Sequence, residues 1–186
     1  MNLTRTLDSA SEVLSLAEVK NQIRVTTTAD DDSFRLFIAA VRHRVEWLLG
    51  KTLITSTWEY KTDTFACEIC LPMGPIQSVS SISYVDTDGA TQSFTDFQVD
   101  KSGRLRPSFG NSWPSTRLQY DAVTITYIAG ETHAGNVPED IKLAMLLLVG
   151  ASDIAREDTV IGAGVVVSQI PDGAQSLLAA HKHWYL

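Results

Sequence analysis

Apolar positions change period along the chain, from helical near both ends to alternating in the middle. Phe34, Phe37, Ile38, Val41, Val45, Leu48 and Leu49 recur at three- and four-residue spacing, which draws one apolar stripe on a helix. Asp30-Asp31-Asp32 stands ahead of the stripe as N-cap and first-turn negative charge, and Gly50 follows it, so a helix is predicted over about 31–49. Upstream, Ser15-Leu16-Ala17-Glu18 has the spacing of a capping box and opens a shorter helix to about Arg24. A third helix, about 138–156, starts at Pro138-Glu139-Asp140, with the proline expected at its first helical position, and carries Ile141, Ala144, Met145, Leu148, Ala151 and Ile154.

From Leu53 the period falls to two. Strands are predicted over 53–63, over the short 68–71 and over 76–85, the last ending in the Asp86-Thr87-Asp88-Gly89 hairpin turn. Residues 91–99 return as a strand, 100–116 read as a long loop with an exposed Trp113-Pro114, and Val123, Ile125 and Tyr127 mark a further strand. After the third helix comes an apolar, glycine-punctuated stretch, 159–170, then a Pro171-Asp172-Gly173 turn and a short helix from Ala174 to about Lys182. The class is α+β: a small helical bundle with an antiparallel β-layer inserted between the second and third helices, plus an extended C-terminal segment. The expected division is a domain over 1–158 and a partner-docking arm over 159–186.

Composition narrows the function. The chain carries 22 Asp+Glu against 15 Lys+Arg, a net charge of −7, which argues against a protein that grips nucleic-acid phosphates. The longest apolar run, Ala144 to Gly150, is far shorter than the roughly 20 residues of a membrane span. No basic start followed by an apolar stretch suggests a secretory leader, and two cysteines make no disulfide framework, which fits a reducing, intracellular origin. The charge is unevenly spread: Arg35, Arg42, Arg44 and Lys51 outnumber Glu46 across 34–51, whereas 159–186 hold only Asp172 and Lys182.

No motif carries catalytic or cofactor chemistry. Cys67-Glu68-Ile69-Cys70 lies in a predicted strand, where residues three apart point to opposite faces, and it lacks a second pair to complete a zinc site. His181 and His183, two apart on a helix, do not face the same way. Asp86 and Asp88 read as turn residues, not as calcium ligands, because the later ligands of an EF-hand are missing. Gly162-Ala163-Gly164 has no following Lys-Ser/Thr to make a phosphate loop. Neither metal nor cofactor is expected. The Arg35/Arg42/Arg44 side of the second helix is open to three readings: a solvated face, a subunit contact or a face toward DNA.

In order, these pieces resemble the phage head–tail connector (adaptor) proteins, the group related to the HK97-type connector and to the head–tail adaptor of gene transfer agents. The resemblance rests on Leu16-Ala17-Glu18-Val19-Lys20, Ile23-Arg24-Val25, Ala39-Ala40-Val41-Arg42 and Gly50-Lys51-Thr52-Leu53 through Trp58. It continues through Leu71-Pro72, Pro75-Ile76 to Asp86, Trp113-Pro114, Val123 to Gly130, and Val137-Pro138-Glu139-Asp140-Ile141, spanning roughly 14–158. It implies a structural protein of the virion neck, made in the host cytoplasm, and no enzyme. It also implies a closed ring of about twelve copies between a portal protein and a stopper or tail protein, with DNA passing through the middle and no membrane contact.

Two expectations about sites are inferred beside it. Leu177, Leu178, His181, His183, Trp184, Tyr185 and Leu186 are candidate portal-binding residues, with Trp184 and Tyr185 as aromatic anchors; the alternative is that this segment packs on its own subunit. Arg35, Arg42 and Arg44 on one side, and Asp153, Glu157 and Asp158 on the other, are candidate faces of the contact between ring neighbours. The rival function is a carbohydrate- or ligand-binding β-module that uses the Trp113-Pro114 loop as a platform.

Overall fold

The computed structural model describes residues 2–100, 102–154 and 172–182. The chain contributes to two units, each built from two separated stretches: a sheet unit from Met1–Ala10 and Ile54–Thr132, and a helical unit from Ser11–Leu53 and His133–Leu186. The expected 1–158 segment contributes to both units.

The sheet unit contains β1 (Asn2–Leu7), β2 (Ser56–Thr62), β3 (Ile69–Cys70), β4 (Ile76–Val85), β5 (Thr91–Ser93), β6 (Phe97–Val99), β7 (Arg104–Pro107) and β8 (Val123–Ala129). A five-stranded antiparallel sheet has the order β1-β2-β8-β4-β5, and a small three-stranded sheet the order β3-β7-β6. Trp58 of β2 stands opposite Tyr127 of β8, and Tyr60 opposite Ile125. The period-two pattern buries one side of β2 and β8, so Trp58, Tyr60, Val123, Ile125 and Tyr127 share a core with Ile82 of β4, Leu71 and Leu105.

Several strand expectations are corrected here. Strand β1 was not foreseen; its Leu3 packs on the core, and the Arg5 guanidinium lies 4.6 Å from the Trp58 ring centroid. The return over 91–99 is two strands in different sheets, and the 100–116 loop contains β7. Leu105, fully buried at the centre of the small sheet, is the residue that pulls this loop into order. The turn into β7 needs Gly103: its φ is +82°, and a Cβ there would meet the Leu71 carbonyl oxygen at 2.9 Å.

The helical unit contains α1 (Leu16–Ile23), α2 (Asp31–Leu49), α3 (Glu139–Ile154) and α4 (Asp172–Ala179), with a short 3-10 turn at Ala134–Asn136. Helix α2 turns Phe34, Ile38, Val41, Val45 and Leu49 inward, but Leu48 is 38% exposed and Phe37 half-buried, so the stripe is narrower than expected. Its start is capped differently too: Asp30 makes no side-chain cap bond. At α3, the Pro138 carbonyl accepts from the amides of Ile141 and Lys142, which puts the proline just before the first helical residue.

The capping box of α1 forms as its spacing dictates. The Ser15 hydroxyl accepts from the Glu18 amide (3.2 Å), while the Glu18 carboxylate accepts from the Ser15 amide (2.7 Å) and hydroxyl (2.6 Å). Hydrogen bonds from the Ser15 side chain and then its backbone hold the Glu18 carboxyl below the usual carboxylate range. A depressed folded-state pKa stabilises the fold above the unfolded value, and the contribution is lost as pH falls through the folded value. Ser15→Ala is therefore expected to cost about 1 kcal/mol at neutral pH, and less in acid, as read by urea unfolding at both pH values. Equal losses at both would separate the cap from the Glu18 charge.

Candidate functional site

Helix α2 splits the three arginines that the sequence placed together. Arg42 is 1% exposed: its Nε donates to Glu12 Oε2 (2.7 Å), its Nη2 to Glu12 Oε1 (3.1 Å), and its Nη1 lies 3.5 Å from Glu46 Oε2. Glu46 is fully buried, and its Oε1 accepts from the Leu53 amide at 2.9 Å. Arg42 is thus an internal ion-pair residue, which removes it from any subunit contact. The reason is angular: at 3.6 residues per turn, positions 42 and 46 sit beside the buried 38–45–49 stripe. Arg35 and Arg44 remain outside; Arg35 pairs with Asp32 one turn back, at 2.8 Å.

The outward side of α2 is only partly polar. Leu36 is 67% exposed and Trp47 63%, and with exposed Ala40 and half-buried His43 they follow the 4-3-4 spacing of a helix seam. Periodicity around Phe34 and Val45 could not reveal this, because a single-stripe reading assigns the opposite face to solvent.

In the sheet unit the 108–121 loop exposes further apolar side chains. Phe109, Leu118 and Tyr120 are almost fully exposed. The base of the loop is fixed: Trp113 stacks on Phe65 (4.6 Å between centroids, 5° between planes) and abuts Phe94 at 5.1 Å. The Arg117 amide donates to Val85 O (3.0 Å), and the Asp121 amide to Asp63 Oδ1 (2.9 Å). The expectation of an exposed Trp113 is corrected, since aromatic stacking draws the ring inward. Its loop neighbours, which sequence reasoning passed over, carry the exposure instead. Asp88 and Asp121 are exposed beside the loop, and Asp86 accepts from Gln92 (2.9 Å) and from the Ala90 and Asp88 amides, bonds that hold its carboxyl below the usual range.

The C-terminal candidates fall into three groups. Leu178 is 4% exposed and Ala174 fully buried, so this side of α4 packs within the helical unit, and Leu178 is corrected from partner-binding to core. Leu177 is half-buried, and His181 Nε2 bonds Asp140 Oδ2 in the first turn of α3, which holds the Asp140 carboxyl below its ordinary value. His181 is therefore engaged inside its own subunit. His183, Trp184, Tyr185 and Leu186 lie outside the described residues, as do Glu157 and Asp158; Asp153 is half-buried.

Cys67 and Cys70 are exposed free thiols, and among the described residues no three His, Cys, Asp or Glu side chains converge on a point that could hold a metal. Among the described residues no helix is long and apolar enough to cross a membrane.

Comparison with known proteins gives one family and one fold. The model of the family described as "Head completion protein" matches residues 12–183. No curated protein matches the chain. Among solved structures, a chain in the neck of an empty GTA particle, computed with C6 symmetry, is 20% identical with a TM-score of 0.79. A chain in the virion of the native gene transfer agent particle is 21% identical with a TM-score of 0.77. One in the neck of the native particle, computed with C12 symmetry, is 21% identical with a TM-score of 0.71. Each alignment covers 100% of this chain and 97% of the other. At this identity the likeness is one of fold.

Proposed function

Since the chain belongs to the head completion protein family, a family of structural proteins, we propose that it is a subunit of the connector in the neck of a tailed phage or phage-like particle. The family match over residues 12–183 carries this reading, and the fold shared with gene transfer agent neck chains supports it. Its role is to bridge, not to catalyse.

The finer reading is a ring of about twelve copies, closed by head-to-tail contacts between unlike surfaces. One face of the ring meets a portal protein and the other a stopper or tail protein. The net charge of −7 suits a channel through which DNA must slide, because a basic wall would hold phosphates by counterion release. The carbohydrate-module alternative has lost its platform: Trp113 is stacked on Phe65 and abuts Phe94.

Residues 183–186 remain the proposed portal anchor, with Trp184 and Tyr185 supplying the buried aromatic area. Removing all of 174–186 would strip Ala174 and Leu178 from the helical core, so a cleaner test is Trp184→Ala with Tyr185→Ala. This double variant is expected to keep its unfolding midpoint and to lose at least tenfold in binding to portal-bearing capsids, an interface loss of more than about 1.4 kcal/mol. Undiminished co-sedimentation with those capsids would reject the anchor. Absence of the wild-type chain from the necks of imaged particles would reject the connector reading as a whole.

A further inference from the structure

We propose that the outward seam of α2 is the socket for the 108–121 loop of a second copy of this chain, and that this is the repeating contact of the ring. The inference rests on the ring reading above and specifies its contact surfaces.

Three observations carry it. First, among the described residues two unlike sets of apolar side chains are exposed: Leu36, Ala40 and Trp47 along one face of a helix, and Phe109, Leu118 and Tyr120 within one loop. A closed ring needs two different patches that complement each other, whereas a two-fold dimer needs one patch that complements itself. Large exposed aromatic and aliphatic side chains are the raw material of protein contacts.

Second, an exposed base stands beside the seam and exposed acids beside the loop. On the helical wheel Arg44 lies about 70° from the seam's midline on one side, and the Arg35–Asp32 ion pair stands on the other. The loop itself carries exposed Arg117 and Asp121, and Arg117 lies against Gly89, beside exposed Asp88. An apolar centre inside a rim of complementary charge is the ordinary anatomy of a specific interface.

Third, the loop is built to present its tip. The stacking of Trp113 on Phe65, the Arg117–Val85 bond and the Asp121–Asp63 bond fix its base before any partner arrives. Less conformational freedom is then lost on docking. Phe109, Leu118 and Tyr120 act as the anchors and Trp47 as their principal counterpart. This contact replaces the pairing of Arg42 with the acids near the end of α3, since Arg42 is internal.

The test is cross-linking within necks isolated from particles assembled with variant chains. Cys67 and Cys70, both exposed, are first replaced by serine. Ala40→Cys and Leu118→Cys are then combined in one chain and treated with a short bis-maleimide. The expected result is a ladder of linked copies, with at least tenfold more dimer and higher species than either single cysteine yields. As an independent reading, Trp47→Glu should cut incorporation into necks at least tenfold while leaving the isolated chain's circular dichroism and unfolding midpoint unchanged. Necks that contain the double-cysteine chain but give no ladder would overturn the contact while leaving the ring intact. A link from the thiol introduced by Ala40→Cys to a different virion protein would also overturn it, by assigning the seam to that protein. Dimers from Ala40→Cys alone would replace it with a two-fold contact. Failure of the wild-type chain to appear in necks would instead remove the ring reading beneath it. Normal incorporation of Trp47→Glu would overturn the seam's role.

Discussion

Arg42→Ala is expected to destabilise the helical unit by about 3–5 kcal/mol, the range for removing one partner of a buried ion pair. The substitution deletes the one guanidinium that meets both Glu12 and Glu46. Glu12 is a third exposed and can turn to water, but Glu46 is fully buried and would lose that counter-ion. Glu46 cannot be dispensed with cheaply, because its other oxygen takes the Leu53 amide where the chain leaves α2. The paired replacement Arg42→Met with Glu46→Gln removes both charges and keeps an acceptor for Leu53, so it should recover most of the loss. Urea unfolding followed at 222 nm gives both numbers. A single-variant loss below about 1 kcal/mol, the scale of an exposed pair, would show that water reaches the site and that the network is peripheral.

Trp58→Ala should cost the sheet unit a similar amount, about 3–5 kcal/mol, since it removes a large side chain from a packed core and leaves a cavity. Trp58 is 2% exposed, faces Tyr127 across the β2–β8 ladder, and lies under Arg5 of β1. The cavity and the loss of the Arg5 contact act together, so β1 should loosen first. Amide exchange at Thr4 and Arg5 should rise more than at Ile125 and Tyr127, which belong to the central strand. Uniform exchange across all of these positions would mean that β1 is not held through Trp58.

The parts of the fold legible in the sequence are those with a local cause. Ser15 and Glu18 meet within one turn, and the stripe from Phe34 to Leu49 needs only the helix's own period. The antiparallel layer between α2 and α3 follows from the period-two runs and their turns. What failed to show depends on residues distant in sequence. Asn2–Leu7 becomes a strand because β2 offers an edge more than fifty residues away. Arg104–Pro107 becomes one because Leu105 has a core to enter. Arg42 reads as a surface arginine until Glu12 is brought beside it from thirty residues upstream. The exposed apolar side chains are only half legible: Leu36 and Trp47 on α2 are masked by the stronger signal of the inward stripe, and Phe109, Leu118 and Tyr120 lie in a loop with no periodic pattern.

Strand order also dictates when the chain can fold. Strand β8 lies between β2 and β4 in the sheet, yet it is the last of the eight to be synthesised. Until residue 123 and those after it leave the ribosome, β2 and β4 have no common neighbour, and β1 has nothing stable to join. The helical unit waits longer still, because α3 follows the whole sheet. Non-local pairing of this kind slows closure and leaves strand edges open meanwhile. Before that point, the β4–β5 and β6–β7 hairpins and the α1–α2 pair can form from neighbouring sequence. Completion of the sheet is therefore a late, nearly concerted event that waits for β8, while the exposed face of α2 can form early with its own helix.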